Sequence, residues 1–507
     1  MKRRTFLTQA AGAALAGAAW PVLGGEWRDA FASAAADKPW LLGYQSVDRE
    51  AYAADVAIEG RWPAGLRGTF FRNGPAQHEV GGYRYRHWFD GDGLVQCYQP
   101  RGDRLQHRAQ LVETAKRQQE KTLGRAALPT FGSLPPEAVG VPHADALNPA
   151  NISLLWHHER LFALWEAGSP HEIAPEDLST RGVHAFSDSS ARLPFSAHPR
   201  VEPDGTLWNF GYATTSGTLV LWHLSPDGQV VKLKALPVRT TGMPHDFVVT
   251  ERYIVLLLAP LHRDPEATPE QGFLGMKRWY PERPTRVLVV DKNNFELVKE
   301  FELPAQWVFH FGNGFDDGRD VIRFDAARHD NPDVMLRTFR SVMRGEWTPV
   351  RDARWYEYTL NLNTGKATES RTLNDGVGVE FPKISPQEST RRHRRVVLLS
   401  SGQRNRDLNR PGDLREVSCW HREADRLASY AYPSHYLVEE HQLVTDAQAD
   451  AGRGGWILGT ALNLKEQATE INVFRADHLA DGPVARARLP YALPLGLHGV
   501  YVPEASA

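Results

Sequence analysis

Cysteine is scarce in this chain of 507 residues, where only Cys97 and Cys419 occur. Two cysteines exclude a disulfide framework, and they exclude zinc or iron–sulfur sites built mainly from thiolates. We expect two structural thiols, and a single bridge between them is the alternative. An excess of one charge is also lacking, because the formal net charge is −2. The composition therefore gives no reason to expect a nucleic-acid partner.

Long hydrophobic runs are lacking beyond the N-terminus. The apolar run at residues 253–261 has the length of a strand. No later segment reaches the roughly 20 residues that a membrane-spanning helix needs. The sequence therefore predicts no transmembrane anchor in the main part of the chain.

The N-terminus has the composition of a targeting segment. Arg3 and Arg4 precede an alanine- and glycine-rich apolar stretch at residues 10–20. This pattern predicts a twin-arginine-type signal over residues 1–36, and hence export to the periplasm. The small residues at 32–34 are the expected cleavage region, and residues 37–507 would form one domain. An uncleaved N-terminal helix is the alternative.

Short alternating runs separated by turn residues fill the rest of the chain. A Pro-Asp-Gly triplet at 203–205 precedes the run 206–212, and the same triplet at 226–228 separates the runs 218–223 and 229–236. Glycine adopts positive φ at little cost, so such triplets are typical of hairpin turns. Many antiparallel hairpins in succession predict an all-β fold. A β-propeller is favoured, because its blades leave few exposed sheet edges.

Two stretches, 110–136 and 265–284, do not show the strand pattern. We expect them to be irregular or helical insertions above the ends of the sheets. The second contains five large apolar residues that either contact a membrane surface or pack inside the insertion; they are Phe273, Leu274, Met276, Trp279 and Tyr280.

Four of the 20 histidines share similar surroundings, each beside an apolar run or a Gly/Pro turn. They are His198, His245, His310 and His498. They lie far apart in the chain, unlike a local zinc motif with two histidines one helical turn apart. The axis of a radial fold would bring them together. Four neutral imidazoles suit iron(II) and leave positions for O2. Ordinary buried or surface histidines are the alternative on spacing alone.

Three glutamates in apolar strands are candidate partners of these histidines: Glu166, Glu380 and Glu440. A metal-bound histidine usually donates its other ring N–H to a carboxylate, which fixes the tautomer. Glu380 lies between Val379 and Phe381, where an unpaired carboxylate is costly to bury. An edge position facing water is the alternative for Glu380, and Glu439 is the alternative to Glu440.

Asp90 and Asp92, in the segment Asp-Gly-Asp-Gly, resemble metal ligands at first sight. The segment lacks the further oxygen ligands that a calcium site needs. We therefore expect both residues to shape a turn near the site.

Eight ordered blocks resemble the carotenoid cleavage oxygenase family, which includes apocarotenoid oxygenases, lignostilbene dioxygenases and the retinal pigment epithelium isomerohydrolase. The blocks are residues 66–75 (LRGTFFRNGP), 88–93 (WFDGDG), 161–170 (LFALWEAGSP), 197–199 (AHP), 244–247 (PHDF), 308–310 (VFH), 380–382 (EFP) and 493–501 (LPLGLHGVY).

The resemblance implies a seven-bladed β-propeller with a dome of loops and helices over an axial metal. It implies that the four histidines hold one Fe(II) per chain and that the three glutamates hold the histidines. It implies no catalytic side chain beyond this metal site. Fe(II) and O2 would cleave a conjugated C=C bond of an apolar small molecule into two carbonyl products.

The substrate class depends on one position within the resemblance. Stilbene-cleaving relatives have a lysine where this sequence has Trp165, so we expect an apocarotenoid. A hydroxystilbene or a phenylpropene is the alternative. A propeller that binds a ligand without chemistry, and isomerisation or hydrolysis at iron without cleavage, are alternatives from other classes.

Overall fold

The computed structural model describes residues 25–213, 217–373, 377–402, 414–445 and 454–504. Most of the described elements are β-strands, as expected for an all-β fold. The arginine pair of the predicted signal lies outside these residues. The helices are short, and they are α1 (Gly25–Ala35), α2 (Ala115–Leu123), α3 (Gly272–Gly275) and α4 (Phe339–Ser341). Among the described residues, no helix is both long and apolar enough to cross a membrane.

The first seven strands belong to the N-terminal part of the propeller. They are β1 (Ala51–Gly60), β2 (Gly68–Asn73), β3 (Pro75–Gln77), β4 (Glu79–Val80), β5 (Tyr83–Arg84), β6 (Asp92–Arg101) and β7 (Arg104–Leu111).

Five sheets of four antiparallel strands follow along the described chain. The first two sheets are β8 (Ser153–His157), β9 (Arg160–Leu164), β10 (His171–Ile173) and β11 (Thr180–Val183), and then β12 (Arg200–Val201), β13 (Leu207–Ala213), β14 (Thr218–Leu224) and β15 (Val230–Pro237). The third sheet is β16 (Val248–Val249), β17 (Tyr253–Leu258), β20 (Thr285–Asp291) and β21 (Leu297–Leu303), and the separate hairpin β18 (Leu261–Arg263) and β19 (Lys277–Trp279) lies within it in the chain. The last two sheets are β22 (Trp307–Asp316), β23 (Val321–His329), β24 (Arg354–Asn361) and β25 (Lys366–Arg371), and then β26 (Val379–Lys383), β27 (Arg395–Ser400), β28 (Glu416–His421) and β29 (Arg426–Ala431).

The C-terminal strands close the fold on the N-terminal ones. They are β30 (Tyr436–Val444), β31 (Trp456–Asn463), β32 (Ala468–Arg475), β33 (Ala485–Arg488) and β34 (His498–Pro503). With β1, β2, β3, β6 and β7 they form one sheet of ten strands. The described chain thus has five separate four-stranded blades and one joined sheet, which differs from the seven separate blades expected.

The predicted hairpins agree with the strands to within a residue. Gly205 and Gly228 have φ values of 89° and 81°, so the two Pro-Asp-Gly turns use the backbone freedom of glycine. The stretch 110–136 contains α2, as expected of an insertion. The stretch 265–284 contains α3, but it also contains β19, which was not expected. Strand β19 forms by pairing with the short β18 across the insertion, and the local sequence pattern does not reveal this pairing.

Buried apolar side chains form clusters that join residues of neighbouring sheets. Cys97 and Cys419 are buried, free thiols, as expected. Helix α1 belongs to this packed structure. Phe31 is buried, and the guanidinium carbon of Arg84 lies 3.4 Å from the centre of its ring. The cleavage region expected at residues 32–34 therefore falls within a packed helix.

Candidate metal centre

The four histidines come from four different parts of the propeller and meet at its centre. His198 and His245 lie just before β12 and β16, His310 lies within β22, and His498 begins β34. Their candidate ligand nitrogens all lie within 4.8 Å of one another. The Nε2 atoms of His198 and His245 are 2.9 Å apart, and those of His310 and His498 are 3.2 Å apart.

Three of these imidazoles contact a glutamate through Nδ1. Glu166 pairs with His245, Glu380 Oε2 lies 2.6 Å from His310, and Glu440 Oε1 lies 2.7 Å from His498. A carboxylate at Nδ1 places the ring proton there, so the lone pair remains on Nε2. The structure therefore brings each predicted glutamate to its predicted type of partner.

The donor set fits a divalent cation. Bare Nε2 lone pairs of His310 and His498, 3.2 Å apart, repel each other unless a positive charge lies between them. Two nitrogens bound at right angles to one ion, each at about 2.1 Å, are themselves about 3 Å apart. The spacing is thus the one that a shared metal would require.

Burial and the carboxylates set the charges of the site. Burial lowers the pKa of His498 to about 3, although Glu440 opposes this effect. Burial also lowers the pKa of His198 well below its usual range. Burial opposes the ionised form of Glu380, but His310 and the hydrogen bonds outweigh it and lower the pKa of this carboxyl. Neutral imidazoles held by ionised carboxylates are the state that binds a cation.

His245 differs from His198 and His498 in the direction in which its pKa is shifted. Burial lowers its pKa, but the charge and hydrogen bond of Glu166 outweigh burial, so the pKa of His245 is raised. A metal ion competes with a proton for the same nitrogen. We therefore expect protonation to compete with metal more strongly at His245 than at His198 or His498.

β-Bulges direct three of these side chains toward the centre. The pairing register shifts between Val308 and Phe311, which flank His310. It shifts again next to Glu380 and, in β30, between Val438 and His441. A bulge locally rotates a strand and is common beside functional sites. The alternating pattern of the sequence does not reveal these shifts.

The adjacent glutamates of β30 have different partners. Glu440 contacts His498, and its Oε2 accepts hydrogen bonds from Gln442 and from the backbone N of Gly499. Glu439 instead pairs with Arg72 at 3.1 Å. Glu440 is therefore the carboxylate of this pair that reaches the histidines.

Three further residues of the site were not among the predicted site residues. His329 Nε2 lies 3.0 Å from the second oxygen of Glu380, and Lys383 Nζ lies 2.7 Å from Glu440. The ring of Phe381 stacks on His310 with centroids 5.2 Å apart. Each of these contacts joins different strands or follows a bulge, so nothing in the local sequence predicts it.

An apolar cavity of about 220 Å³ opens onto the centre. Three of the four histidines line it: His245, His310 and His498. Its wall is otherwise mostly aromatic and aliphatic and includes Tyr44, Trp88, Phe89, Phe309, Phe339 and Trp347.

Trp165 and the five apolar residues of the insertion lie outside this cavity wall. Trp165 is half-buried and packs against a core cluster. In the insertion, Leu274 and Tyr280 are buried. Phe273, Met276 and Trp279 are half-buried. This burial favours packing of these residues inside the insertion over an exposed apolar patch.

Asp90 and Asp92 make tertiary contacts to the segment that follows β7, in addition to any role in a turn. Asp90 accepts hydrogen bonds from the backbone N of Gly132 and from Ser133. Asp92 pairs with the buried Lys116 at 2.8 Å. The expectation of turn geometry alone was incomplete, because both carboxylates are buried and require partners.

The fold and this centre define a β-propeller with a four-histidine site at its axis. The chain belongs to the retinal pigment epithelial membrane protein family, whose model matches residues 44–503. This confirms the resemblance seen in the sequence.

Individual relatives cover nearly the whole chain. The apocarotenoid-15,15'-oxygenase of Synechocystis is 27% identical over 91% of this chain and 95% of its own length. The isoeugenol monooxygenase of Pseudomonas putida is 25% identical over 91% and 98%. The crystal structure of the cobalt-substituted Synechocystis oxygenase is similar with a TM-score of 0.81 at 26% identity, and covers 92% of this chain and 98% of that one.

Proposed function

We propose that this protein is an iron(II) oxygenase that uses O2 to cleave a conjugated C=C bond of an apocarotenoid or carotenoid into two carbonyl products. The observation that carries the proposal is the convergence of four imidazoles at the end of an apolar cavity. The names of the similar apocarotenoid and carotenoid oxygenases support the same chemistry. Cleavage of a phenylpropene or hydroxystilbene is the second candidate, and the similar isoeugenol monooxygenase supports it.

Bound iron(II), one per chain, would supply the redox chemistry with O2. The imidazoles present neutral nitrogens to the ion, and Glu166, Glu380 and Glu440 fix the tautomers of three of them. The apolar wall excludes water and holds a planar conjugated chain beside the centre. In this proposal no side-chain acid or base takes part.

The preference for an apocarotenoid rests on the cavity wall and on the relatives. Aromatic rings, among them Trp347 and Phe309, line the cavity, and Phe309 stands edge-on to His245 with centroids 5.2 Å apart. Such a wall suits a long unsaturated hydrocarbon. Trp165 lies outside the wall, so the preference for an apocarotenoid does not rest on this residue.

Two further proposals concern the architecture and the location of the protein. The ten-stranded sheet would represent two blades that share β1, which pairs with β7 through residues 51–57 and with β33 through residues 58–60. This division gives seven blades.

The arginine pair at Arg3 and Arg4 supports export to the periplasm. Packing of the insertion residues gives no support to membrane contact.

Product analysis tests the proposed chemistry. The protein is loaded with Fe(II) without oxygen, then given ¹⁸O2 and either an apocarotenal or isoeugenol. We expect shortened, ¹⁸O-labelled aldehydes from the apocarotenal, detected by liquid chromatography and mass spectrometry. His310→Ala should abolish them, whereas Glu300→Gln, a change in an exposed ion pair with Arg286, should not. Iron retention without cleavage of either compound would overturn the proposal.

A further inference from the structure

Tyr44 is a hydroxyl-bearing residue in the wall of the apolar cavity. It ends a short 3₁₀ helix, Pro39–Tyr44, and its ring lies edge-on to Trp40 and Trp88, at centroid distances of 6.1 and 5.4 Å. The residue lines the cavity and is only 5% exposed. A tyrosine so deeply buried normally finds a partner for its hydroxyl.

The hydroxyl of Tyr44 has no such partner among the residues that the structure describes. Within the described ranges, no hydrogen bond joins its Oη to another residue, although the backbone oxygen of Tyr44 accepts one from Arg84 at 2.7 Å. The indole nitrogen of Trp88 is likewise unpaired, but unlike Tyr44 Oη it is fully enclosed by its neighbours. Tyr44 Oη keeps accessible surface, and the cavity is the space that this residue lines.

The backbone around Tyr44 is fixed before any ligand arrives. Arg84 is fully buried and also donates to the backbone oxygen of Met343 at 2.8 Å. Gly43 packs closely against Leu495, because a Cβ atom added at Gly43 would lie only 2.8 Å from Cγ of Leu495. Burial raises the pKa of Tyr44, so its hydroxyl remains a neutral donor over the physiological pH range. The site is therefore a prepositioned donor in an apolar wall.

We propose that the Tyr44 hydroxyl donates a hydrogen bond to an oxygen atom of the substrate, which is therefore an apolar molecule carrying a carbonyl or hydroxyl group. This inference rests on the proposed function and specifies its substrate class. A pure hydrocarbon would leave the buried hydroxyl unpaired, and an unpaired buried polar group opposes binding. Tyr44 thus acts in selection of the substrate, and the histidines act at the bond that is cleaved.

Two matched ligand pairs test this role. The first pair is an apocarotenal and the polyene in which a methyl group replaces its aldehyde. The second is isoeugenol and the same molecule without its phenolic hydroxyl. Quenching of tryptophan fluorescence gives the Kd of each ligand, because Trp88 and Trp347 line the cavity. Steady-state cleavage gives KM and kcat for those ligands that are substrates.

We expect Tyr44→Phe to weaken binding of the oxygen-bearing member of one pair by about 2- to 12-fold, the range of one neutral hydrogen bond. Its KM should rise by a similar factor, with kcat and the oxygen-free member little changed. The pair that responds shows whether the oxygen belongs to a polyene or to a phenol. Tyr430→Phe is the control, since Tyr430 lies in β29, away from the cavity wall.

Three results would overturn the proposal. They are an equal loss for both members of a pair, no loss for either, and no binding of any of the four ligands. Failure of the proposed function is a separate result. In that case the iron-loaded wild type cleaves none of the ligands, while the fluorescence titration still shows whether Tyr44 distinguishes them.

Discussion

Glu440 Oε1 lies 2.7 Å from Nδ1 of His498 and joins two strands that are distant in the chain. The same oxygen lies 2.7 Å from Lys383 Nζ, so Lys383 is linked to the candidate metal position through Glu440 and His498. The preceding residue, Glu439, points instead to Arg72. A bulge in β30 separates the two roles, because it changes which side chains face the centre.

Replacing Glu440 should mainly affect iron retention, whereas replacing Glu439 should mainly affect the free energy of unfolding. Glu440→Gln should weaken Fe(II) retention by about 10- to 100-fold, because His498 loses the carboxylate that fixes its tautomer. Glu439→Gln should mainly lower the free energy of unfolding, by about 3 kcal/mol, because Arg72 remains buried without its counter-charge. Equilibrium dialysis and urea unfolding measure the two effects. Loss of iron in Glu439→Gln alone would reverse the assignment.

Glu380 holds His310 and His329 at once, so its charge should matter for metal binding. Glu380→Gln should reduce iron retention by about 10- to 100-fold. Metal bound to the folded state raises the Tm, and the variant should lose most of the rise seen on adding Fe(II). Calorimetry with and without chelator measures this. Glu300→Gln is the control, and equal Tm shifts in both variants would contradict the assigned contact.

Asp90 should make stability depend on pH. Burial raises the pKa of its carboxyl from 3.8 to about 6 in the folded protein. Between these values the folded state holds a proton that the unfolded state has released. The contribution of Asp90 to the free energy of unfolding therefore falls as pH rises from about 4 to about 6.

Asp90→Asn removes this titration. Its one oxygen can still accept from the backbone N of Gly132, and its NH2 group can donate to Ser133 Oγ. Relative to wild type, the variant should gain about 1–3 kcal/mol between pH 4 and pH 6.5. Urea unfolding at several pH values measures the difference. A constant difference across this range would show that Asp90 does not titrate there.

Phe31 should stabilise the folded protein although it lies within the segment predicted as a signal. Phe31→Ala removes a buried ring, 4% exposed, from its contact with Arg84, and should cost about 3–5 kcal/mol. The expected result is a lower Tm. Leu123→Ala, at a residue 46% exposed, is the control. An unchanged Tm in Phe31→Ala would mean that α1 does not contribute to the folded protein.

The sequence by itself determined the strands, the turns and the histidines. Alternation and Pro-Asp-Gly triplets act between neighbouring residues, so β13 and β15 could be located from local pattern. His198, His245, His310 and His498 stand in short motifs, and the resemblance selected them among 20 histidines. Glu166 and Glu380 were found because a carboxylate among apolar residues requires a buried partner.

Only the tertiary structure decided between Glu439 and Glu440, placed Trp165 outside the cavity and brought Lys383 to the site. Each of these depends on a bulge or on packing between strands far apart in the chain, and a one-residue shift of register reverses which face a side chain occupies. The free hydroxyl of Tyr44 is of the same kind. Its position beside the cavity depends on Arg84 and Trp88, which the local sequence does not relate to it.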